Sequence, residues 1–205
     1  MEKQFREVPQ RLRELKSDAE EKLRPLKEEV KACNDNSSRA EKALEQLKEL
    51  VDAREEAKGP FASYTGPGET EKQRKKEEAA LQEGKDAASN VKLAATKTRK
   101  AAEAVKKTLA EMEKLSNTLV PSAIGFLNSP AFFNLPSKRY SVMEDLAVAS
   151  TREGESIQAF VAEEKLSVKR AFDAAERAEK FANFLKVGLE LAEKEFKEEF
   201  WESWS

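Results

Sequence analysis

The chain has 205 residues, of which 37% are charged, and it contains only 7 glycines and 7 prolines. Its 37 basic and 39 acidic residues are interleaved and sum to a formal net charge of −2, so no field is expected that would attract nucleic acid. Histidine is absent and Cys33 is the single cysteine, which removes the usual general base, the commonest metal ligand and any disulfide within the chain. We therefore expect neither an enzyme nor a bound metal or cofactor.

The first predicted helix covers about residues 5–57, where apolar and small residues recur at alternating steps of three and four. We call such a narrow apolar stripe a seam. This seam comprises Phe5, Val8, Leu12, Leu15, Ala19, Leu23, Leu26, Val30, Cys33, Ser37, Ala40, Leu44, Leu47 and Val51. Its position predicts that Cys33 is a buried thiol. Pro25 is expected to bend or break the helix, and Asn36 begins an N-glycosylation triplet that matters only in a secreted chain.

A connector at residues 59–68, with two Gly-Pro pairs, predicts a turn, and Phe61 and Tyr64 are expected to pack on the bundle end. The second predicted helix covers about residues 70–120. Its seam is Ala80, Gly84, Ala88, Val91, Ala95, Thr98, Ala102, Val105, Leu109, Met112, Leu115 and Leu119. The small residues of its first half predict that neighbouring helices approach closely there.

The segment at residues 121–140 is the most informative non-helical prediction. Its three prolines and one glycine are expected to break the helix, yet it is more apolar than a solvent loop. We call it the head segment; its apolar residues are Ile124, Phe126, Leu127, Phe132, Phe133 and Leu135. Two interpretations are open: these side chains plug the end of the bundle, or they form an exposed surface that contacts a partner. Ser141 is predicted to cap the next helix, with Glu144 completing a capping box.

The third predicted helix covers about residues 141–200 and has the longest seam. That seam is Leu146, Ser150, Gly154, Ile157, Val161, Val168, Ala171, Ala175, Ala178, Ala182, Leu185, Leu189, Ala192 and Phe196. It lapses at Glu164, for which we expect a lysine partner on another helix. Phe200 continues this face. Trp201 and Trp204 either cover the connector or form an aromatic tail.

Three long seams and two connectors predict an all-α fold: an antiparallel, coiled-coil-like three-helix bundle in which residues 1–205 form one elongated domain. Helix rise alone gives a body of roughly 75–90 Å. The competing architecture is a dimer in which two chains complete a four- or six-helix assembly.

This layout resembles the surface glycoproteins of African trypanosomes, which share a long three-helix bundle with an elaborated head and include the haptoglobin-haemoglobin receptor. The Glu/Ala-rich composition is most similar to the glutamic acid/alanine-rich protein of the insect-stage coat. The alanine pairs that carry this similarity are Ala79-Ala80, Ala87-Ala88, Ala94-Ala95 and Ala101-Ala102.

The resemblance implies a non-enzymatic coat or surface binding protein at the cell surface, with the head segment outermost. Membrane attachment would be only through a GPI-type lipid anchor outside residues 1–205, the chain would be a monomer or weak homodimer, and its partners would be a host or vector protein or like chains in the coat. The alternative is a cytosolic scaffold or adaptor that dimerises through its seams.

Overall fold

The computed structural model describes the backbone of residues 1–57 and 67–202, and the side chains of 1–53 and 71–194. Four helices account for 97% of the described residues, and none of these residues lies in a strand. The helices are α1 (Glu2–Ala57), α2 (Pro67–Leu127), α3 (Pro130–Phe133) and α4 (Ser137–Glu202). The predicted all-α bundle is therefore confirmed, with α1, α2 and α4 as the three long helices.

The predicted break at Pro121 is wrong, because α2 continues through this residue to Leu127. Proline removes one backbone hydrogen bond and costs roughly 3 kcal/mol inside a helix. Here the ring lies on the exposed face, while Leu119, Ala123 and Phe126 on the opposite face are at most 6% exposed. Burial of these apolar residues offsets the lost hydrogen bond, so the helix extends seven residues beyond its predicted end at residue 120.

Pro25 likewise does not split α1, which runs unbroken from Glu2 to Ala57. Leu23 and Leu26 on either side of it are 4% and 2% exposed, so the seam stays in register across the proline.

The predicted capping box at Ser141 is also wrong, because α4 begins at Ser137 and Ser141 already lies inside it. The chain turns at Pro136, whose carbonyl accepts the first backbone hydrogen bond of the helix from Tyr140 N–H at 2.9 Å. Ser141 therefore has no free helix end to cap, and Glu144 lies on the exposed surface of the helix.

The chain forms two compact units. The first comprises Met1–Glu28 and Arg99–Phe172, and the second comprises Glu29–Thr98 and Asp173–Ser205. Each long helix contributes one segment to each unit.

Side-chain contacts between α1 and α2 in the first unit show that these helices are antiparallel. Arg11 Nη2 donates to Glu111 Oε1 at 3.1 Å, and Thr108 Oγ1 donates to Asp18 Oδ2 at 3.1 Å. Residue numbers therefore rise along α1 as they fall along α2.

Side-chain contacts between α2 and α4 in this unit show that these helices are antiparallel as well. Gln158 Nε2 donates to Asn117 Oδ1 at 2.9 Å, and Lys165 Nζ lies 2.6 Å from Glu113 Oε1. Numbers rise along α4 as they fall along α2, which gives the predicted up-down-up order.

The seams form the core. Every predicted seam position with a described side chain is buried or partly buried, and most of those in α1 are less than 6% exposed. Phe196 lies outside the described side chains, as do Phe200 and the two tryptophans, while the predicted turn falls mainly on residues 58–66, outside the described chain.

Small polar residues within the seams join helices through hydroxyl-to-carbonyl hydrogen bonds. Thr98 Oγ1 donates to the Glu29 carbonyl at 3.0 Å, and Ser150 Oγ donates to the Phe5 carbonyl at 3.1 Å. Both hydroxyl residues are 0% exposed. Buried hydroxyl groups need such partners, and a short side chain reaches a neighbouring backbone only where two helices lie close together.

Gly154 on α4 marks another close approach, because a Cβ built there would overlap Val120 Cγ2 of α2. Valine is stiff about χ1 and cannot turn its methyl group away cheaply. We expect Gly154→Ala to lower the free energy of unfolding by about 1–3 kcal/mol. A Cβ at Gly125 would meet nothing within 4 Å, so Gly125→Ala should instead raise it by roughly 0.5–1 kcal/mol. Urea unfolding measures the change in the free energy of unfolding for each variant. Destabilisation by both would contradict the close contact between Gly154 and Val120.

A half-buried polar network joins α1 to α2 at Asp18. Lys22 Nζ lies 2.6 Å from Asp18 Oδ2, and the Thr108 hydroxyl donates to the same oxygen at 3.1 Å. The hydrogen bond from Lys22 is the main cause that holds the pKa of Asp18 below its ordinary value, and the hydroxyl of Thr108 adds to it.

Because the pKa of Asp18 is depressed in the folded state, its contribution to stability is present above the unfolded pKa and is lost as pH falls through the lower folded pKa. We expect Thr108→Val to raise this pKa toward its ordinary value. A carboxyl NMR titration measures the change. Thr96→Val is the matched control, since the Thr96 hydroxyl bonds only the Lys92 carbonyl of its own helix; an equal shift in that control would contradict the prediction.

Candidate partner-binding site at the α2–α3–α4 junction

The short helix α3 is held in place by its own capping residues. Ser129 is extended (φ −89°, ψ 148°), and its hydroxyl accepts from Phe132 N–H at 3.3 Å and donates to the Phe126 carbonyl at 2.7 Å. Pro130 occupies the first turn, where its missing N–H costs nothing. At the other end Asn134 N–H donates to the Pro130 carbonyl at 3.2 Å. The head segment is therefore two helix ends joined by one capped helical turn rather than an irregular loop.

A chain of aromatic contacts fixes α3 to its neighbours. Phe126 lies 5.5 Å from Phe5 and 5.4 Å from Phe132, measured between ring centroids. Phe132 stacks on Tyr140 at 4.3 Å and meets the edge of Phe133 at 5.6 Å. Tilted and edge-to-face pairs at these distances are favourable beyond the apolar area they bury. Phe132 is thus the centre of a cluster that joins α1, α2, α3 and α4.

The structure divides the six residues predicted for the head into three groups. Phe126 and Phe132 are buried at 6% and 3% exposure, Leu127 and Leu135 are half-buried, and Ile124 and Phe133 are exposed at 44% and 65%. The first group closes the core, as one interpretation predicts. The last group faces solvent, as the other requires.

Three residues of this region were not predicted as part of the site. Phe5 was assigned to a seam and Tyr140 only to the end of the segment, but both contact the aromatic cluster. Val142 is 47% exposed and lies in the second turn of α4. The sequence did contain a signal for Val142, because it is an apolar residue that lies outside the predicted seam.

The head segment itself carries a positive net charge. Residues 121–140 contain Lys138 and Arg139 but no aspartate or glutamate, and both cations are exposed in the first turn of α4. The exposed surface therefore combines large apolar side chains with two cations.

The other features considered for a chemical role in the described chain are Cys33, groups of acidic residues and Asn36. Cys33 is 0% exposed, its Sγ lies 3.9 Å from the Ala174 carbonyl, and burial raises the pKa of its thiol. This confirms the predicted buried thiol. Within residues 1–53 and 71–194 no group of three or more Cys, Asp or Glu is arranged to hold a metal ion. Asn36, the predicted glycosylation position, lies half-buried in the middle of α1.

Glu164 does not have the lysine partner that the sequence predicts. Its Oε2 atom is buried and accepts no hydrogen bond from any described residue. The neighbouring Lys165 pairs with Glu113 instead. Glu164 borders an open cleft of about 520 Å³ between α1 and α4, where Arg24 and Lys27 also contribute.

No helix in the described part of the chain is long and apolar enough to cross a membrane. No protein-family model, curated protein or solved structure matches the sequence or the fold. The resemblance to trypanosome surface glycoproteins stays a prediction. Any proposal about the function must therefore rest mainly on the geometry of the chain itself.

Proposed function

We propose that this chain is a non-enzymatic helical-bundle protein that binds a protein partner through the α2–α3–α4 junction. The observation that carries the proposal is the contrast between two adjacent residues: Phe132 is 3% exposed and Phe133 is 65% exposed. The buried ring anchors the turn, so the exposed ring is presented at a fixed position. A rigid exposed aromatic side chain binds with little loss of conformational entropy.

The chemistry of the surface indicates the partner. Aromatic residues and arginine dominate the energetics of protein interfaces, and Phe133 and Arg139 lie at the same junction. The partner surface that fits is an apolar pocket for Phe133 bordered by carboxylates that face Lys138 and Arg139. Complementary charge of this kind raises the association rate.

The cellular setting we propose is the cell surface, where the chain is a coat or binding protein held by a GPI-type anchor outside residues 1–205. Support comes from the three-helix architecture, from the Glu/Ala-rich composition and from an apolar junction at one helix end. Its partner is a host or vector protein, or a like chain in the coat.

The cytosolic scaffold that dimerises through its seams receives less support. Seam residues such as Leu12, Leu109 and Ile157 are at most 1% exposed within one chain. They are therefore already paired, and seam-to-seam dimerisation would require the helices to separate.

Site-specific photo-crosslinking tests the proposal. Benzoylphenylalanine replaces Phe133 in one full-length sample and Leu166, 57% exposed on α4, in the control. Both samples are added to cells in which the protein is naturally expressed and, separately, to extracts of the host and of the vector. We expect a protein adduct at position 133. Excess unlabelled chain should prevent this adduct, whereas excess unlabelled Phe133→Asp variant should not. Equal adducts at both positions, or none at position 133, would reject the junction as the binding site.

Labelling of intact cells with a membrane-impermeant amine reagent tests the location. The endogenous protein should be labelled and should be released by a phospholipase that cleaves GPI anchors. Labelling only after the cells are lysed would reject the cell-surface proposal and leave the junction to be judged by crosslinking.

A further inference from the structure

Glu164 occupies a position on α4 where the seam should be apolar. It lies between the buried seam residues Val161 and Val168, which are 3% and 6% exposed. Its Oε2 atom is buried and accepts no hydrogen bond from any described residue. A buried carboxylate oxygen without a donor destabilises the fold. A residue that breaks the local pattern at such a cost is expected where the chain has a function to perform.

The cations near Glu164 do not supply the missing donor. Lys16 Nζ lies 5.3 Å from the centroid of the Phe160 ring, where it makes a cation–π contact instead. Arg24 and Lys27 line the cleft beside Glu164, but neither donates to Oε2. The described chain therefore leaves this carboxylate to be neutralised by a donor from outside.

The cleft beside Glu164 has a volume of about 520 Å³ and lies within the first unit. A volume of this size accommodates a small molecule. Buried Leu23 of α1 and half-buried Phe160 of α4 form its apolar part.

The carboxylate of Glu164 is accessible from this cleft on one side. The residue lines the cleft and is only half-buried, and of its two oxygens only Oε2 is both buried and without a partner. A carboxylate shares its negative charge between its two oxygens. A cation that contacts Oε1 from the cleft therefore neutralises the whole group.

The other charged residues of the cleft do not favour either sign of ligand. Two are acidic and two are basic, and all four are exposed: Glu20, Arg24, Lys27 and Glu28. Their charges cancel and are screened by water and salt. The half-buried carboxylate of Glu164 therefore gives the cleft its net negative charge, which favours a ligand with one positive charge.

An organic cation fits this cleft better than a metal ion. Within residues 1–53 and 71–194 no group of three or more Cys, Asp or Glu is arranged to hold a metal ion. The cleft instead combines one half-buried carboxylate with a leucine and a phenylalanine side chain. An ammonium group has three hydrogen-bond donors and no acceptor, which suits a carboxylate.

We propose that this cleft binds a small primary amine, whose ammonium group donates to the Glu164 carboxylate and whose apolar body packs on Leu23 and Phe160. The charged hydrogen bond is roughly twice as strong as a neutral one. The apolar contacts give the site a preference for an amine with a hydrocarbon body. This site is separate from the α2–α3–α4 junction and does not depend on the partner proposed there.

An NMR titration of the full chain with 2-phenylethylamine tests the proposal. We expect saturable shifts of the Phe160 and Leu23 signals, with a dissociation constant in the millimolar range that is typical of so small a probe. Glu164→Gln keeps the shape of the side chain and removes its charge, so it should weaken binding by about tenfold or more, equivalent to roughly 1.4 kcal/mol. The matched control is Glu163→Gln, which removes the same charge from the adjacent exposed position and should leave the dissociation constant unchanged.

Two analogues of the probe test the role of its charge. 2-Phenylethanol is neutral and 3-phenylpropionate is an anion, and both keep the apolar body. Each should bind at least about tenfold more weakly than the amine, because neither provides a charged donor for Glu164.

Glu164→Leu separates binding from folding. Leucine restores the apolar period of the seam and removes the unpartnered carboxylate, so urea unfolding should show a stability no lower than that of the natural chain. The same variant should lose the probe. A loss of binding in a stable variant would come from the missing carboxylate and not from unfolding.

Several outcomes would overturn the proposal. The absence of saturable shifts, or shifts that Glu164→Gln leaves unchanged, would remove Glu164 from the site. Equal binding of the alcohol or the anion would show that the ammonium group is not recognised, and equal weakening by Glu163→Gln would show an unspecific charge effect. A lower stability of Glu164→Leu would show that the carboxylate has a structural role instead.

Discussion

Replacing Phe132 by alanine is expected to lower the free energy of unfolding by about 3–5 kcal/mol, the range for a fully buried phenylalanine. The ring is 3% exposed and contacts Phe126, Phe133 and Tyr140. Its removal leaves a cavity that α3 cannot fill, because a four-residue helix held between two longer ones has little freedom to collapse. Urea unfolding followed by circular dichroism measures the loss.

Phe133→Ala is the matched control, since it removes the same side chain from the next position. Phe133 is 65% exposed, so we expect a change within about 0.5 kcal/mol. This variant should fold normally and lose partner binding, whereas Phe132→Ala should lose stability. Equal destabilisation by both would show that Phe133 also packs into the core.

Much of the fold could be predicted from the sequence because the seams are long and regular. A period between three and four residues, kept over many turns, leaves helix as the only element that buries one face. The predicted seam of α2 ends at Leu119, however, because Pro121 was expected to break the helix. The deciding contacts of Ala123 and Phe126 come from other helices, and local propensity carries no information about them.

The site was harder to predict because, in a short helical turn, the burial of a side chain depends on whether it points toward the core or toward solvent. Phe132 and Phe133 are chemically identical neighbours, and their composition gives no reason for one to face the core. The choice follows from α3, whose first turn is fixed by the hydrogen bonds of the Ser129 side chain. That cap could be recognised only after the end of α2 was known.

The exposed apolar residues Phe184, Val187 and Leu191 on the outside of α4 were not predicted for a different reason. A seam is the narrowest set of apolar residues that keeps the helical period, and Leu185 and Leu189 belong to it. Phe184, Val187 and Leu191 were then left without a role, although their spacing is also helical. A helix with two such sets has two apolar faces, and the predicted seam accounts for only one of them.

Replacing Leu109 by alanine is expected to lower the free energy of unfolding by about 2–5 kcal/mol. The side chain is 1% exposed and lies on the seam of α2 within the first unit. Leucine and alanine are both strong helix formers, so helix propensity changes little and the loss reports on packing. Urea unfolding gives the free energy directly.

Two further variants separate packing from other causes. Leu109→Met keeps the side-chain volume and should cost less than about 1.5 kcal/mol. Leu166→Ala, at a position 57% exposed in the same unit, should change stability by no more than about 0.5 kcal/mol. A loss at Leu166 as large as that at Leu109 would contradict the seam as the core, because an exposed leucine has few packing contacts to lose. A core confined to the seams requires that Leu109→Ala destabilise most, Leu109→Met less and Leu166→Ala least.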